Sequence, residues 1–410
     1  MTKKFLSFLP IVLLLLCLGC GGQGRQRQAD ALEGENLMTR AKLLHLSERG
    51  DGIFDVEIAN PWDSTRPLQR LRLVPEGVNA EPVEGVTTLQ IPLRRSLVYS
   101  GVHTALITEL GADSAIGGIC DRAYITQPTL QQRLAEGTLT DCGNSSAPTT
   151  ERIMALSPDA ILLSPYENAT DHSTLARLGT VVVECADYME PTPLGRAEWM
   201  RFYGLLYGRR AEADSLWEAT REGYDRLSTI ARGSSERPRV LLDRLYQGVW
   251  YLPGRASLWD VYLTDAGAEN PVARLGDAAV LNLSAEQVIA NAADADFWLI
   301  RYNQNTPLTR EQLAAEHPVY SRIKAFGDGK VYGVNTSVTP IYEETPFHPQ
   351  LLLAELVGLF HPSQVSRLTQ ASQMSQVSHA EAPRGTMEQR DSTDAPTLPD
   401  NQSRYFSILK

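Results

Sequence analysis

The sequence predicts an α/β protein of two lobes, each built around a parallel β-sheet, with a helical segment between them. Strand and helix patterns alternate from about Leu89 to Tyr188, and the same alternation resumes from Val240 to Phe360. Between these stretches, residues 192–208 place apolar side chains at helical spacing, namely Trp199, Phe202, Tyr203 and Leu206. Thr192 suits an N-cap and Pro193 suits the first helical position. We therefore expect a connecting helix region at 192–232.

Composition and charge limit the class of protein. The chain has 410 residues, 43% of them hydrophobic and 21% charged, which is typical of a folded protein with room for two domains. Its formal net charge is -11, and Lys and Arg form no stripe. Because nucleic-acid recognition needs clustered positive charge, we expect no nucleic-acid partner.

The first twenty residues indicate export. Lys3 and Lys4 precede an apolar run, Phe5–Leu18, and the small residue Gly19 precedes Cys20. This pattern resembles a bacterial lipoprotein signal, although Cys17 stands where that signal usually has Leu. The resemblance implies removal of residues 1–19 and membrane anchoring through a lipidated Cys20. The alternative, an uncleaved transmembrane helix, would need about 20 apolar residues, and this run is shorter.

The remaining chain divides by composition. Residues 20–52 are polar and predict a tether, followed by an N-terminal lobe at 53–191 that opens with a small β-hairpin. A C-terminal lobe follows the connecting region at 233–362. Residues 363–410 are rich in Ser, Gln, Thr and Pro and predict a largely disordered tail. Its end, 404–409, is apolar again, which leaves docking onto a lobe open.

Cysteine and histidine usage gives little support for a metal or a redox site. Cys120, Cys142 and Cys185 remain after Cys17 and Cys20 are assigned to the signal, so at most one disulfide can form. Cys120 with Cys142 is the pair to test first, and buried free thiols are an equal alternative. We expect no metal site and no resident cofactor, since the possible ligands have no helical ligand spacing: His103, His172, His317 and His348.

Aromatic and charged residues follow the predicted strands of both lobes. In parallel α/β sheets, ligands bind outside the carboxyl ends of the strands, so these residues predict an aromatic cleft between the lobes. The candidate ligand-binding residues are Ser100, His103, Arg122, Tyr124, Tyr166 and Glu167 in the first lobe and Trp250, Tyr251, Arg301, Tyr302 and Tyr342 in the second. Arginine can pair with carboxylates and a tyrosine hydroxyl can bind iron. Taken singly, each tyrosine could equally pack at a lobe edge.

Four stretches carry a family resemblance: SLVYSGVHTALITELGADSAIGGICDRAYI, TTERIMALSPDAILLS, TPLGRAEWMRFYGLLYGRRAEADSLW and LSAEQVIANAADADFWLI. They resemble the substrate-binding proteins of ABC importers for iron-siderophore complexes, haem and vitamin B12, the class III periplasmic binding proteins. The resemblance covers about Leu89 to Pro362. It implies two Rossmann-like lobes joined by a single long α-helix, with the ligand cleft between the lobes.

The same resemblance implies function and partners. We expect a receptor that is not an enzyme and that delivers a ferric siderophore or haem to an ABC permease with its ATPase subunits; cobalamin is the alternative ligand. In the family, one glutamate on each lobe docks on the permease, and the matching residues here are Glu151 and Glu286. Both could instead be ordinary acids at helix N-termini. The other class, a metal chelatase, would need His103 and Glu167 as a catalytic pair. The expected location is the cell envelope, facing the periplasm or exterior.

Overall fold

The computed structural model describes residues 34–167, 175, 179–255, 257–364 and 403–410. The predicted signal peptide, Cys20 and His172 lie outside the described residues, as does the tail from 365 to 402. Among the described residues, no helix is both long enough and apolar enough to cross a membrane.

The N-terminal part forms a four-stranded sheet rather than a tether and a hairpin. Its strands, in spatial order, are β1 (Leu44–Gly50), β2 (Ile53–Ala59), β3 (Pro67–Pro75) and β4 (Thr87–Ile91). The first three pair antiparallel, and β4 pairs parallel with β3. Leu44 and Leu46 are buried in this sheet, so the predicted tether at 20–52 is wrong over its last third. Alternating apolar side chains cover one face, which is what fixes the register of such a sheet.

The first lobe contains a five-stranded parallel sheet in the order β11-β10-β5-β6-β7. Its strands are β5 (Ser96–Val98), β6 (Ile116–Ile119), β7 (Thr140–Asp141), β10 (Ala160–Leu163) and β11 (Val181–Glu184). A small hairpin, β8 (Gly143–Asn144) and β9 (Ala147–Pro148), follows β7. The described helices of this lobe are α1 (Gly101–Glu109), α2 (Pro128–Ala135) and α3 (Thr150–Leu156). Strand β10 is buried at all four positions, as expected for a parallel sheet covered on both faces.

The connecting region is a pair of short helices followed by one long helix. These are α4 (Pro193–Glu198), α5 (Met200–Leu206) and α6 (Arg210–Arg232), which has 23 residues. Thr192 caps α4 by accepting a hydrogen bond from the Gly195 amide at 3.0 Å, as the sequence predicts. The expected single helix across residues 192–208 is interrupted at Trp199, and a turn at Gly208 (φ +66°) then starts the long helix. The long connecting helix of the fold is therefore α6.

The second lobe combines a mixed sheet with a small antiparallel one. The mixed sheet has β12 (Val240–Leu242), β16 (Phe297–Tyr302) and β17 (Val331–Asn335) in parallel, with β18 (Ser407–Ile408) antiparallel at the edge. The antiparallel sheet has β13 (Leu245–Tyr246), β14 (Val249–Pro253) and β15 (Val280–Leu283). The helices are α7 (Leu258–Asp265), α8 (Ala285–Ala292), α9 (Arg310–Glu316), α10 (Lys324–Gly327), α11 (Ile341–Glu344) and α12 (Pro349–Phe360). Since β18 is part of the sheet, the docking that was left open for residues 404–409 is formed, and the largely disordered tail predicted at 363–410 does not include residues 403–410.

Candidate ligand-binding cleft

Exposed tyrosines mark the carboxyl ends of the parallel strands in both lobes. Tyr124 and Tyr166 follow β6 and β10 in the first lobe and are 66% and 67% exposed. Tyr188 follows β11, and in the second lobe Tyr246 follows β12 and Tyr342 follows β17. A single exposed aromatic side chain is common on protein surfaces, whereas several at one edge can mark a binding surface. Their recurrence at this edge of both sheets agrees with the predicted ligand face.

Close contacts hold the first-lobe loops together. Ser100 caps α1 by accepting from the amide two residues on, at 3.3 Å. The next residue is Gly101, where a Cβ would lie 2.8 Å from the Tyr124 carbonyl oxygen, so only glycine fits there. The Tyr188 hydroxyl donates to the carbonyl oxygen of Pro165, just before Tyr166. The loop of Tyr124 thus packs closely against the start of α1, and the loop of Tyr188 is bonded to that of Tyr166.

The two predicted arginines differ in their surroundings. Arg301 pairs with Asp243 through its Nε, at 3.0 Å, and through Nη2, and its guanidinium lies 5.1 Å from the ring centre of Trp259. Burial lowers the pKa of Arg301, but the Asp243 carboxylate and Tyr342 raise it above its usual value, so it stays charged. Arg122 is exposed and has no ion pair among the described residues. Arg122 is therefore the arginine with free charge for an anionic ligand.

The prediction that Trp250 binds the ligand is wrong. It is fully buried, packs against Trp298 and Tyr320, and donates from Nε1 to the Leu242 carbonyl at 3.0 Å. The sequence suggested a strand-end loop there, whereas the structure has strand β14, whose alternate side chains point inward and outward. Tyr251, its neighbour, is 45% exposed on the outer face.

Two further predicted residues are buried. Tyr302 is 9% exposed and lies against Gly333, where it has little surface to offer a ligand. His103 is 1% exposed, and its Nε2 lies 2.8 Å from Oδ1 of Asp187. Burial raises the pKa of Asp187, but His103 and Arg196 lower it overall, so the carboxylate stays ionised. His103 is thus committed to a buried hydrogen bond with Asp187, whereas Glu167 is exposed.

Glu151 and Glu286 occupy equivalent places. Each is exposed and is the second residue of its helix, α3 or α8, and each helix leads into a strand of its lobe's parallel sheet. Such helices run opposite to the strands, so their N-termini lie at the carboxyl edge, as the exposed tyrosines do. Hydrogen bonds from its own amide and from Ser284 lower the pKa of Glu286. Among the described residues, neither glutamate forms an ion pair.

The lobes touch through α1 and α11. These helices are in contact, and Nε2 of His348, just before α12, lies 2.7 Å from Oε2 of Glu109. A cavity of about 310 Å³ lies at this junction; its lining residues are Ala105, Leu106, Glu109, Glu343, Glu344, Phe347, His348, Leu351 and Arg404. A second cavity, of about 550 Å³, lies between residues 39–42 and helices α4, α6 and α7. Neither is lined by Tyr166 or another predicted ligand residue. Neither cavity could be predicted from the sequence, apart from the docking left open for residues 404–409, of which Arg404 lines the first cavity.

The described residues hold no group of three or more His, Cys, Asp or Glu side chains arranged to bind a metal ion. Cys120, Cys142 and Cys185 are all buried and free, so the suggested Cys120–Cys142 disulfide is not formed. His348 is bound to Glu109 and His317 accepts from the Val319 amide.

Comparisons with known proteins identify the family. A family model described as periplasmic binding protein matches residues 100–337, more than half of the chain. Two relatives are uncharacterized lipoproteins of Methanocaldococcus jannaschii. One is 24% identical over 269 residues, covering 63% of this chain and 64% of the relative, and the other is 23% identical over 363 residues, covering 81% and 89%. The chain thus spans less than two thirds of the first relative's length.

Solved structures show the same fold. A possible iron-binding (periplasmic solute-binding) protein from Staphylococcus epidermidis has a TM-score of 0.53 at 14% identity, covering 66% of this chain and all of that one. Helicobacter pylori Ceue with Ni(II) bound has a TM-score of 0.51 at 15% identity, covering 70% and 90%. At such identities the likeness concerns the fold alone. With two α/β lobes joined by the long helix α6, the chain belongs to the periplasmic binding protein family, class III.

Proposed function

We propose that this protein is the solute-binding lipoprotein of an ABC importer, which captures an iron complex, a ferric siderophore or haem, and delivers it to the membrane permease. The observation that supports this most is the recurrence of exposed tyrosines at the carboxyl edges of both lobes. The Staphylococcus epidermidis neighbour, described as a possible iron-binding protein, agrees with an iron ligand.

The chemistry of these residues suits a large chelate. Tyrosine rings offer flat apolar faces to an organic ligand, and their phenolic oxygens can bind ferric iron. The exposed Arg122 can pair with a ligand carboxylate, whereas Arg301 already has Asp243 as its counter-ion. Charge recognition would then come from the first lobe, and the second lobe would contribute mainly Tyr246 and Tyr342.

A retention experiment tests the ligand class. The protein is incubated in turn with haemin, a ferric hydroxamate siderophore and cobalamin, and each chromophore is followed by absorbance after gel filtration. We expect an iron chelate to be retained, and Tyr166→Ala to weaken retention more than Tyr166→Phe if ring stacking dominates. Equal weakening by the two variants would indicate that the hydroxyl binds iron. Retention of cobalamin alone would support the alternative ligand, and retention of none would contradict the proposal.

Permease docking is the second part of the proposal. Reversing charge at Glu151 and Glu286 together should abolish ligand uptake by cells that carry the importer, because electrostatic pairing orients the encounter. Glu311 is the matched control, since it is exposed and is also the second residue of a helix, α9. Glu311→Lys should leave uptake intact, and all three substitutions should leave ligand retention unchanged. Uptake that survives the double reversal would refute the docking role.

An enzyme on the same scaffold is less well supported. A chelatase would need His103 and Glu167 as a pair, but His103 is buried against Asp187. Anchoring in the cell envelope through Cys20 agrees with the two lipoprotein relatives. Labelling with a radioactive fatty acid should mark the wild-type protein and not Cys20→Ser.

A further inference from the structure

The C-terminal residues Ser403–Lys410, here named the C-terminal strap, lie outside the region that matches the family model. The strap adds an antiparallel strand, β18, to the edge of β17. The Leu409 amide donates to the Val331 carbonyl at 2.9 Å, and the Arg310 amide donates to the Lys410 carbonyl at 2.9 Å. The strap therefore forms the edge of the second-lobe sheet and is held there by backbone hydrogen bonds.

Buried side chains and one carboxylate hold the strap on the second lobe. Tyr405, Phe406 and Leu409 are buried, with 4%, 1% and 5% of their surfaces exposed. The carboxylate of Glu355 on α12 accepts from the Tyr405 amide at 2.8 Å, from the Phe406 amide and from the Ser403 hydroxyl. Burial of an unpaired carboxylate is costly, and these donors compensate it. The strap thus needs Glu355 as an acceptor, and the buried Glu355 needs the donors of the strap.

A different part of the strap holds α11. Oε2 of Glu344, the last residue of α11, accepts from Arg404 Nη2 at 2.9 Å and from the Tyr405 hydroxyl at 2.8 Å. Helix α11 has only four residues, too few to be stable on its own, so its order depends on tertiary contacts. It carries Tyr342, which raises the pKa of Arg301, and it contacts α1 of the first lobe.

We propose that the C-terminal strap is a clasp that orders α11 and thereby positions Tyr342 and the junction between the lobes. The two sets of contacts have different roles. Phe406, Leu409 and Glu355 hold the strap on the second lobe. Arg404 and the Tyr405 hydroxyl bond to Glu344 and so connect the strap to α11. This inference goes beyond the proposed function and does not depend on the identity of the ligand.

Hydrogen exchange of the full chain without ligand, read by mass spectrometry, tests the clasp. The positioning variant combines Arg404→Gln with Tyr405→Phe, which keeps the aromatic ring but removes the two bonds from the Arg404 guanidinium and the one from the Tyr405 hydroxyl to Glu344. We expect its amides in 341–345 to exchange about tenfold faster, while those in β17 exchange at the wild-type rate. Phe406→Ala should accelerate both segments. Ser407→Ala, a control at an exposed strap position, should accelerate neither.

A strap that only covers the sheet edge gives a different pattern. In that case the positioning variant would leave residues 341–345 at the wild-type exchange rate, and the proposal would fail. It would fail equally if Phe406→Ala accelerated β17 while leaving α11 unchanged. The urea midpoint of the positioning variant should match that of the wild type, which separates a local effect on α11 from a general loss of stability.

Discussion

Replacing Glu198 by Ala should detach residues 39–41 from the connecting region. The Glu198 side chain is fully buried at the end of α4. Its two oxygens accept from the amides of Thr39, Arg40 and Ala41 at 2.7–3.0 Å and from the Thr39 hydroxyl at 2.8 Å. One carboxylate therefore organises the chain where it enters the N-terminal sheet, 159 residues away in sequence.

The magnitude follows from these bonds and from what replaces them. A hydrogen bond to a charged group contributes about 1.5–3 kcal/mol, but Thr39 and Arg40 are exposed, so water can satisfy their amides once the carboxylate is gone. Arg201, 3.6 Å from Glu198, keeps its bond to Asp214 and is not left unpaired. Allowing for water and for the desolvation cost that also disappears, we expect Glu198→Ala to lower the unfolding free energy by about 3 kcal/mol. Glu198→Gln keeps one acceptor oxygen and should cost about half as much.

Urea unfolding followed by tryptophan fluorescence measures this loss, and trypsin reports where it acts. Cleavage after Arg40 should accelerate in Glu198→Ala, because Arg40 lies in the released segment, whereas the Lys42 amide stays bound to Glu190. The control is Glu212→Ala on α6, whose exposed ion pair with Arg209, 3.4 Å long, should contribute less than about 0.5 kcal/mol. A loss below about 1 kcal/mol for Glu198→Ala, with unchanged trypsin cleavage, would show that the segment is held by the sheet alone.

Three further predictions concern buried groups. Burial raises the pKa of Asp55, but Arg72 and Arg49 lower it below 3.8 overall. The stability that Asp55 contributes is therefore present above pH 3.8 and lost as the pH falls through the folded-state pKa. In that acid range the urea midpoint of Asp55→Asn should depend less on pH than the midpoint of the wild type. An unchanged dependence on pH would argue against the ion pair. Trp250→Phe should lower stability by about 1–3 kcal/mol and leave ligand retention unchanged, whereas a selective loss of retention would restore Trp250 to the cleft. Burial raises the pKa of Cys120 to about 12 and of Cys142 to about 11, so an aromatic disulfide reagent at pH 8 should leave both thiols unmodified in the native protein and react with them in urea; native labelling at either would contradict their burial.

The two lobes could be predicted from sequence because the relevant signals are local. A buried parallel strand is a short apolar run in the sequence, such as Ala160–Leu163. In a helix, apolar residues recur about every 3.6 residues. Tyr124, Tyr166 and Tyr342 could be found for the same reason, since each lies in the segment that follows a parallel strand. Glu151 and Glu286 were placed correctly at their helix starts, although their role in docking stays a prediction.

The prediction for Trp250 failed because one turn was not recognised. Gln247 and Gly248 both have positive φ, of 51° and 82°, which is the geometry of a tight hairpin turn. A Gln-Gly pair is a weaker signal for this turn than Asn-Gly or Asp-Gly. Once the turn forms, β13 and β14 pair antiparallel, and Trp250 faces the core instead of the cleft. The counter-ion of Arg301 was missed as well, because Asp243 follows a different strand and meets Arg301 only in the folded sheet.

Two segments, 39–43 and 403–410, were assigned to the tether and to the tail, and both are ordered for the same reason. The segment 39–43 is held by Glu190 and Glu198, and the strap is held by Glu355, through backbone amides in every case. A glutamate is normally expected at the surface, so sequence alone assigns these three to solvent. Which distant amides they bind depends on the tertiary fold and has no sequence pattern. A polar or low-complexity stretch can therefore be ordered when a buried carboxylate accepts its backbone hydrogen bonds, and part of the acidic charge of this chain lies inside it, where it cannot attract a partner.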